Sequence, residues 1–267
     1  MNAGLSRLNE LPISIRLIRE IHAVLMAGVR GDNKQPGEVR TIQNWIGPEN
    51  APIKEATFVP PPPDVLGQAL HDLEKFLNEE NPNLPPLIRF GLAHAQFETV
   101  HPFLDGNGRM GRLLVTLLIC RDDILTKPVL YISHYLKQHR ARYYDLLQAT
   151  RNDGDWEAWL KFFLTGISEV ANEAAQTATR IVELRERHRT LATTNHGRAA
   201  ANVLRLLEEL YKIPITTTNR VSYQLGLSFA GATKLISRLE GEGVLTEITG
   251  RARNRVYRYE AYLSLFS

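Results

Sequence analysis

The apolar positions of this chain recur mostly at helical spacing. Leu17, Ile18, Ile21, Val24 and Leu25 fall three and four apart and predict an early amphipathic helix. Residues 31–63 break the rhythm: Gly31, Asp32, Asn33, Gly37, Gly47, Pro48 and a proline run over 60–63 mark loops. Within them Ala56-Thr57-Phe58-Val59 reads as a short strand or hairpin arm. Val65, Leu66, Ala69, Leu70, Leu73, Phe76 and Leu77 trace a second amphipathic helix, and a third runs from about Pro86, a good helix opener, to Val100. Residues 101–108 form a glycine-rich break, and Leu113, Leu114, Leu117 and Leu118 predict a helix resuming at Arg109. Tyr143, Leu146 and Leu147 belong to a further helix; Trp156, Trp159, Phe162, Phe163 and Ile167 begin a long one. There is no internal repeat.

Leu191–Gly197 loses periodicity and reads as a linker, which divides the chain into a first domain over 1–190 and a second over 198–267. The second has its own rhythm. Val203, Leu206, Leu207 and Leu210 give one helix, Thr218–Leu225 a second and Ala230–Glu242 a third. Gly243–Tyr259 then predicts two strands joined by a turn at Thr249-Gly250-Arg251. Three helices and a β-hairpin describe a small winged helix-turn-helix domain.

Composition narrows the picture without deciding it. The chain has 267 residues, 43% hydrophobic and 23% charged, as expected of a globular protein rather than a disordered or fibrous one. A net charge of +3 suits a local anion site and is too small to establish a nucleic-acid partner. The single cysteine, Cys120, precludes an internal disulfide and fits a reducing compartment. It ends the apolar run Leu113–Cys120 and reads as a small core residue rather than a nucleophile. That run is far short of the roughly 20 residues that span a bilayer. Arg7, Glu10, Arg16, Arg19 and Glu20 give the N-terminus mixed charge, so no signal peptide is expected and a cytoplasmic location is.

The chemistry concentrates in His101-Pro102-Phe103-Leu104-Asp105-Gly106-Asn107-Gly108-Arg109-Met110-Gly111-Arg112. Gly106 and Gly108 let backbone approach a ligand closely, at a helix N-terminus whose free N–H groups favour anions. Arg109 and Arg112, three apart, share a helix face and can fork onto phosphate oxygens. Asp105 offers a hard oxygen suited to Mg²⁺ held between a carboxylate and phosphates. His101 can accept a proton near neutral pH. Any one of these residues alone is more often a cap, a turn or a solvated charge. Together they suit phosphoryl or nucleotidyl transfer, where catalysis is mostly positioning and charge neutralisation.

This string matches the Fic signature HPFx[D/E]GNGRxxR at every specified position, and the chain resembles that family from about residue 10 to residue 190. Asn44–Gly47, Phe58–Pro61, Ala93–Glu98 and Tyr143–Leu147 resemble further family landmarks in the expected order. The resemblance implies a mainly α fold: a Fic helical core with a β-hairpin flap, followed by the winged helix often appended in bacterial Fic proteins. It implies a protein adenylyltransferase (AMPylase) that uses ATP with Mg²⁺ or Mn²⁺ and modifies a Ser, Thr or Tyr hydroxyl of a target protein, and also its own chain. By the same resemblance His101 is the general base. Asp105 holds the metal against the α- and β-phosphates, and Gly106, Asn107 and Gly108 surround the α-phosphate. Arg109 and Arg112 hold the β- and γ-phosphates. Tyr143 lines the adenosine pocket, and Phe103 is an apolar anchor. Glu55, Ala56, Thr57 and Phe58 form the flap that aligns a target backbone by strand addition.

The sequence departs from the family at the inhibitory element [S/T]xxxE[G/N], whose Glu pairs with the second motif arginine. Ser6 and Glu10 have the spacing but Leu11 follows them, and Glu240-Gly241 and Glu242-Gly243 lack the earlier Ser or Thr. An inhibitory helix is therefore not evident within this chain: an upstream segment is absent, the natural protein is short, or inhibition comes from a separate chain, and the sequence does not choose among these. Intact Gly-Asn-Gly favours AMP over phosphate or other nucleotide transfer, and the missing Glu disfavours AMP removal. A reading from another class makes the protein a nucleotide-sensing, DNA-binding regulator. For that reading, the wing offers Arg251, Arg253, Arg255 and Arg258 with Tyr257 and Tyr259 between, and alternation sets Arg251, Arg253 and Arg255 on one strand face; Lys234 and Arg238 are offset by Glu240 and Glu242. The second domain thus suits either DNA or protein contact, with no membrane partner, and the sequence leaves the oligomeric state open, a homo-oligomer included.

Overall fold

The computed structural model describes residues 2–8, 11–29, 31–48, 52–80 and 83–266. Among them the helices are α1 (Asn2–Leu8), α2 (Ile15–Met26), α3 (Leu66–Leu77), α4 (Pro86–Val100), α5 (Asn107–Arg121), α6 (Ile132–Gln138), α7 (Arg140–Asn152), α8 (Trp156–Asn195), α9 (Ala200–Lys212), α10 (Thr218–Leu225), α11 (Phe229–Gly241) and α12 (Glu260–Leu263). The strands are β1 (Ile215–Thr217), β2 (Thr246–Glu247) and β3 (Val256–Arg258). The chain forms two compact units, Met1–Asn172 and Glu173–Ser267.

In the first unit, α4 and α5 form the central pair. α5 buries Met110, Leu113, Leu114, Val115, Leu117, Leu118 and Ile119, so it is apolar nearly all round, as a helix enclosed by others must be. α4 buries Phe90, Ala93 and Phe97 in the same core, while Val100 packs with Leu66 and Leu70 of α3. Gly91 lets α8 pack close, since a Cβ there would overlap the Phe163 ring, and the Trp159 indole N–H donates to the Gly91 carbonyl at 2.9 Å. α2 starts where the Ser14 hydroxyl accepts from the Leu17 N–H, an ordinary N-cap. α1 and α6, which periodicity did not reveal, are each only seven residues long. The strand expected over 56–59 is reduced to one antiparallel bridge between Ile46 and Phe58, preceded by a 3₁₀ turn over Ile53–Glu55.

The second unit packs α9, α10 and α11 around Val203, Leu206, Leu210, Val221, Ile236 and Leu239. They are followed by the β2–β3 pair, and an antiparallel three-stranded sheet has order β1-β3-β2, with Thr216 opposite Tyr257. Strand β1 was not foreseen; three residues are too few to show alternation.

Two expectations change here. The segment 191–197 is no linker through most of its length: α8 runs unbroken to Asn195, and the compact units divide at 172/173. Leu184, His188 and Ala192 lie at i, i+4 and i+8 and are buried in this unit, so packing overrides the weak helix propensity of Thr193, Thr194 and Asn195. The hairpin turn is also longer than expected. Thr249 and Gly250 amides donate to the Glu247 carboxylate, which turns the chain just after β2, and Ile248 donates to Val256 at 3.0 Å. Arg251, Arg253 and Arg255 therefore lie exposed in a loop, not along one strand face, while Tyr257 and Tyr259 are buried in the core.

Candidate active site

His101 ends α4 in the left-handed region, at φ 48° and ψ 60°, an uncommon conformation for a non-glycine residue. Arg40 holds it there. The residue is 2% exposed; its Nε donates to the His101 carbonyl at 2.9 Å, and its terminal nitrogens reach the carbonyls of Ile42, Pro61 and Val100. The Arg40 backbone N–H donates to Pro102 at 2.9 Å. His101 Nδ1 faces the Glu98 carbonyl at 3.3 Å. A carbonyl can only accept, so Nδ1 carries the proton and Nε2 keeps its lone pair. Burial first, then the Arg151 and Arg40 cations, lower the imidazole pKa to about 4. The ring is thus neutral near pH 7 and able to take a proton.

The following loop is fixed from inside. Phe103 is 1% exposed and stacks on His22 with ring centres 3.7 Å apart. The Asn107 side chain closes the loop on itself: Oδ1 accepts from the Phe103 N–H at 2.9 Å and Nδ2 donates to the Phe103 carbonyl at 2.7 Å. That amide is spent on the loop, and what Asn107 offers a ligand is its backbone N–H in the first turn of α5, which has no helical acceptor. Gly106 has φ 81° as the N-cap of α5, where a Cβ would overlap Met26 and His22. Gly31, at φ 92°, leaves room for the Asp105 carboxylate. The helix begins at Asn107, two residues before the expected Arg109, so Gly108 lies within its first turn.

Arg109 Nη2 lies 3.7 Å from Asp105 Oδ1. Arg112 folds back over Gly108, where a Cβ would come within 3.1 Å of its Nη1. The structure thus brings His101, Asp105, Gly106, Asn107, Gly108, Arg109 and Arg112 together at the α4–α5 junction. Asp105 is a single carboxylate. Among the described residues no group of three or more His, Cys, Asp or Glu is placed to hold a metal. One hard oxygen beside an anion site fits a Mg²⁺ or Mn²⁺ ion whose other ligands are phosphates and water.

Of the expected flap residues Glu55, Ala56, Thr57 and Phe58, it is Phe58 that meets Arg151. Its guanidinium lies over the Phe58 ring and its Nε donates to Thr99 Oγ1 at 3.0 Å, while its charge reaches His101. Tyr143 sits elsewhere: 3% exposed, with its hydroxyl 3.0 Å from His94 Nε2, whereas the neighbouring Tyr144 ring is exposed. Cys120 is partly buried, and burial raises its thiol pKa, which disfavours a nucleophile. Of the two residues with the spacing of the inhibitory element, Ser6 lies in α1 and Glu10 lies outside the described residues.

Sequence reasoning missed Arg40, His22 and Arg151. Each acts across a long sequence separation, on loops whose geometry no local pattern encodes. Glu98 and His94 stood in a recognised landmark but had no role assigned.

This mainly helical fold holds a neutral histidine beside a glycine-lined helix N-terminus and two arginines, an arrangement suited to binding anions. Residues 12–119 match the Fic/DOC family, and this segment is a Fic/DOC family domain. The chain is 34% identical over 163 residues to the protein adenylyltransferase Fic of Culex quinquefasciatus and to that of Drosophila grimshawi, covering 61% of this chain. It spans only 29% and 30% of those curated relatives. A crystal structure of a Fic family protein from Desulfovibrio desulfuricans G20 shares the fold, with TM-score 0.58 and 22% identity, over 97% of this chain and 72% of that one. Among the described residues no helix is long and apolar enough to cross a membrane.

Proposed function

We propose that the protein is an adenylyltransferase that moves AMP from ATP to a Ser, Thr or Tyr hydroxyl of a target protein, and of its own chain. The observation that carries this reading is the tautomer of His101, with Nδ1–H on the Glu98 carbonyl and the Nε2 lone pair left to accept a proton. The target hydroxyl gives its proton to Nε2. Its oxygen forms a bond to the α-phosphorus, the bond from that phosphorus to the α–β bridging oxygen breaks, and pyrophosphate leaves. The backbone of Gly106, Asn107 and Gly108 surrounds the α-phosphate, and Arg109 and Arg112 bind the β- and γ-phosphates. Asp105 is the residue to hold Mg²⁺ or Mn²⁺, which when bound offsets phosphate charge. Tyr143, being buried, supports the adenosine site from behind. Ile46 and Phe58 pair as strands do, which supports Glu55–Phe58 as an edge for the target backbone.

The test is intact-mass spectrometry of the purified protein after incubation with ATP and Mg²⁺. Addition of one AMP supports the reading; ATP turnover with no AMP on this chain or on any protein of a cell lysate sinks it.

A second reading concerns the C-terminal unit. Its order of three helices and a β-pair suits a winged helix, with Lys234 and Arg238 exposed on α11 and Arg251, Arg253 and Arg255 exposed in the β2–β3 loop. These support DNA contact by a nucleotide-sensing regulator, or docking of a protein partner. A gel-shift assay against genomic fragments separates the two.

A further inference from the structure

Glu98 is a buried carboxyl that the transfer scheme leaves unused. It lies on α4 one turn before His101, is 5% exposed, and its Oε1 has no hydrogen-bond partner. Its room comes from glycines of α5: a Cβ at Gly111 would overlap Oε1. At Gly108 a Cβ would meet Arg112 Nη1 at 3.1 Å and Glu98 Oε1 at 3.8 Å, so acid and guanidinium converge on one point under the first turn of α5. The groups facing Glu98 are Arg112 from α5, Arg151 and Tyr143 from α7, and His94 and His101 on its own helix. Both histidines are neutral, which leaves the two arginines as the charges it feels.

The proton count around it is constrained. His94 Nδ1 lies 3.0 Å from the Gly111 carbonyl and must donate to it. Nε2 of the neutral ring then accepts, and the group it accepts from is the Tyr143 hydroxyl, at 3.0 Å. Tyr143 has only that one proton. While this relay holds, an ionised Glu98 receives nothing from Tyr143, whereas a protonated Glu98 can donate to the Tyr143 oxygen. Arg112 and Arg151 favour the ionised form, as does Tyr143 whenever its hydroxyl turns from His94 to the carboxylate.

We propose that Glu98 is a proton-linked positioning residue: when phosphate oxygens occupy Arg112, Glu98 takes up a proton from solvent and no longer competes with them for the charge of the guanidinium. This rests on the nucleotide reading of Arg112. Anions at Arg112 cancel the charge that keeps Glu98 ionised, while burial, the largest influence on it, favours the neutral acid and already raises its pKa to about 7. The carboxyl is therefore poised near neutrality. By linkage, nucleotide affinity must then fall as pH rises.

The test is calorimetric titration of the full chain with α,β-methylene-ATP and excess Mg²⁺, so that no transfer occurs, in HEPES and in Tris at pH about 7. Wild type should take up a fraction of a proton on binding that Glu98→Gln does not. Wild-type affinity should weaken by up to about tenfold per pH unit above neutrality, and stay flat in Glu98→Gln. Equal proton counts and equal pH profiles overturn the role of Glu98 while leaving the nucleotide site intact. Absence of binding by both chains overturns the nucleotide site and this inference with it. Should Glu98→Gln not fold, infrared difference spectroscopy of wild type decides: the protonated-carboxyl band must grow on adding the nucleotide, and a constant band overturns the proposal.

Discussion

The Arg151 guanidinium carbon lies 3.6 Å from the centre of the Phe58 ring. One cation thus ties the flap to α7 while its charge bears on His101. The flap has little else in the way of regular structure: Thr57 and Phe58 amides both donate to the Ile46 carbonyl, at 2.8 and 3.1 Å. Phe58→Leu keeps the apolar contact and removes the ring, which should loosen the flap by about 0.5–2 kcal/mol. Hydrogen exchange at the Thr57 and Phe58 amides should speed up accordingly, while the interior of α5 keeps its protection. Unchanged exchange at both amides would show that Arg151 does not hold the flap.

His101→Ala should remove AMP transfer and leave ATP affinity nearly intact. A general base contributes about 10²–10⁴-fold to rate, and a neutral imidazole adds little to phosphate binding. ATP affinity and label transfer measured on one preparation decide it; full transfer by the variant removes His101 from the mechanism.

Arg112→Ala should weaken both nucleotide binding and turnover. Loss of a charge-assisted contact to phosphate costs on the order of 1.5–3 kcal/mol, about a tenfold to hundredfold weakening. If affinity and rate both match wild type, the assignment of Arg112 to phosphates is wrong.

Arg40→Ala should cost stability as well as activity. It frees the carbonyls of His101, Val100 and Pro61, and loss of hydrogen bonds to a charged donor costs about 1.5–3 kcal/mol. Arg40→Lys should recover little, because an ammonium cannot span carbonyls arranged around a planar fork. Urea denaturation of both variants checks this, and a lysine variant as stable as wild type would show that charge alone is needed.

Acid should destabilise the fold well before its carboxylates titrate. Burial lowers the pKa of His94 and His101 to about 4, and lowers His22 and His188 in the same direction. Unfolded histidines protonate near pH ~6.5, so between there and about 4 the unfolded chain binds more protons and stability falls as pH falls. Glu98, raised to about 7, has the opposite sign: its contribution is complete below about 4.5 and is lost as pH rises through 7. Four histidines outweigh one acid. The urea midpoint should drop from pH ~7 to pH ~5, and His94→Gln should shallow that slope. A midpoint independent of pH in this window contradicts neutral burial of these rings.

The helices α2, α3, α4, α5 and α10 were legible in the sequence because each carries an apolar stripe or a proline or cap at its start. The 101–112 string was legible for a different reason: its residues act through the local geometry of one helix end, a loop and the next helix start, so their spacing along the chain is nearly their spacing in space. What the sequence could not give was everything that reaches that loop from afar. Arg40 lies 61 positions from His101, and His22 lies 83 from Asp105, yet the first holds the His101 backbone and the second bonds the Asp105 carbonyl at 2.9 Å. No periodicity encodes such pairs; they exist only once α2 and the 31–42 loop have packed against the α4–α5 junction. The same cause moved the domain boundary, since 184, 188 and 192 share a face only in a helix, and it was burial of that face that kept α8 helical to Asn195. Sequence determined the chemistry at the site, and tertiary packing decided which nitrogen of His101 is free, because the carbonyl that fixes its tautomer is brought to it by the left-handed end of α4.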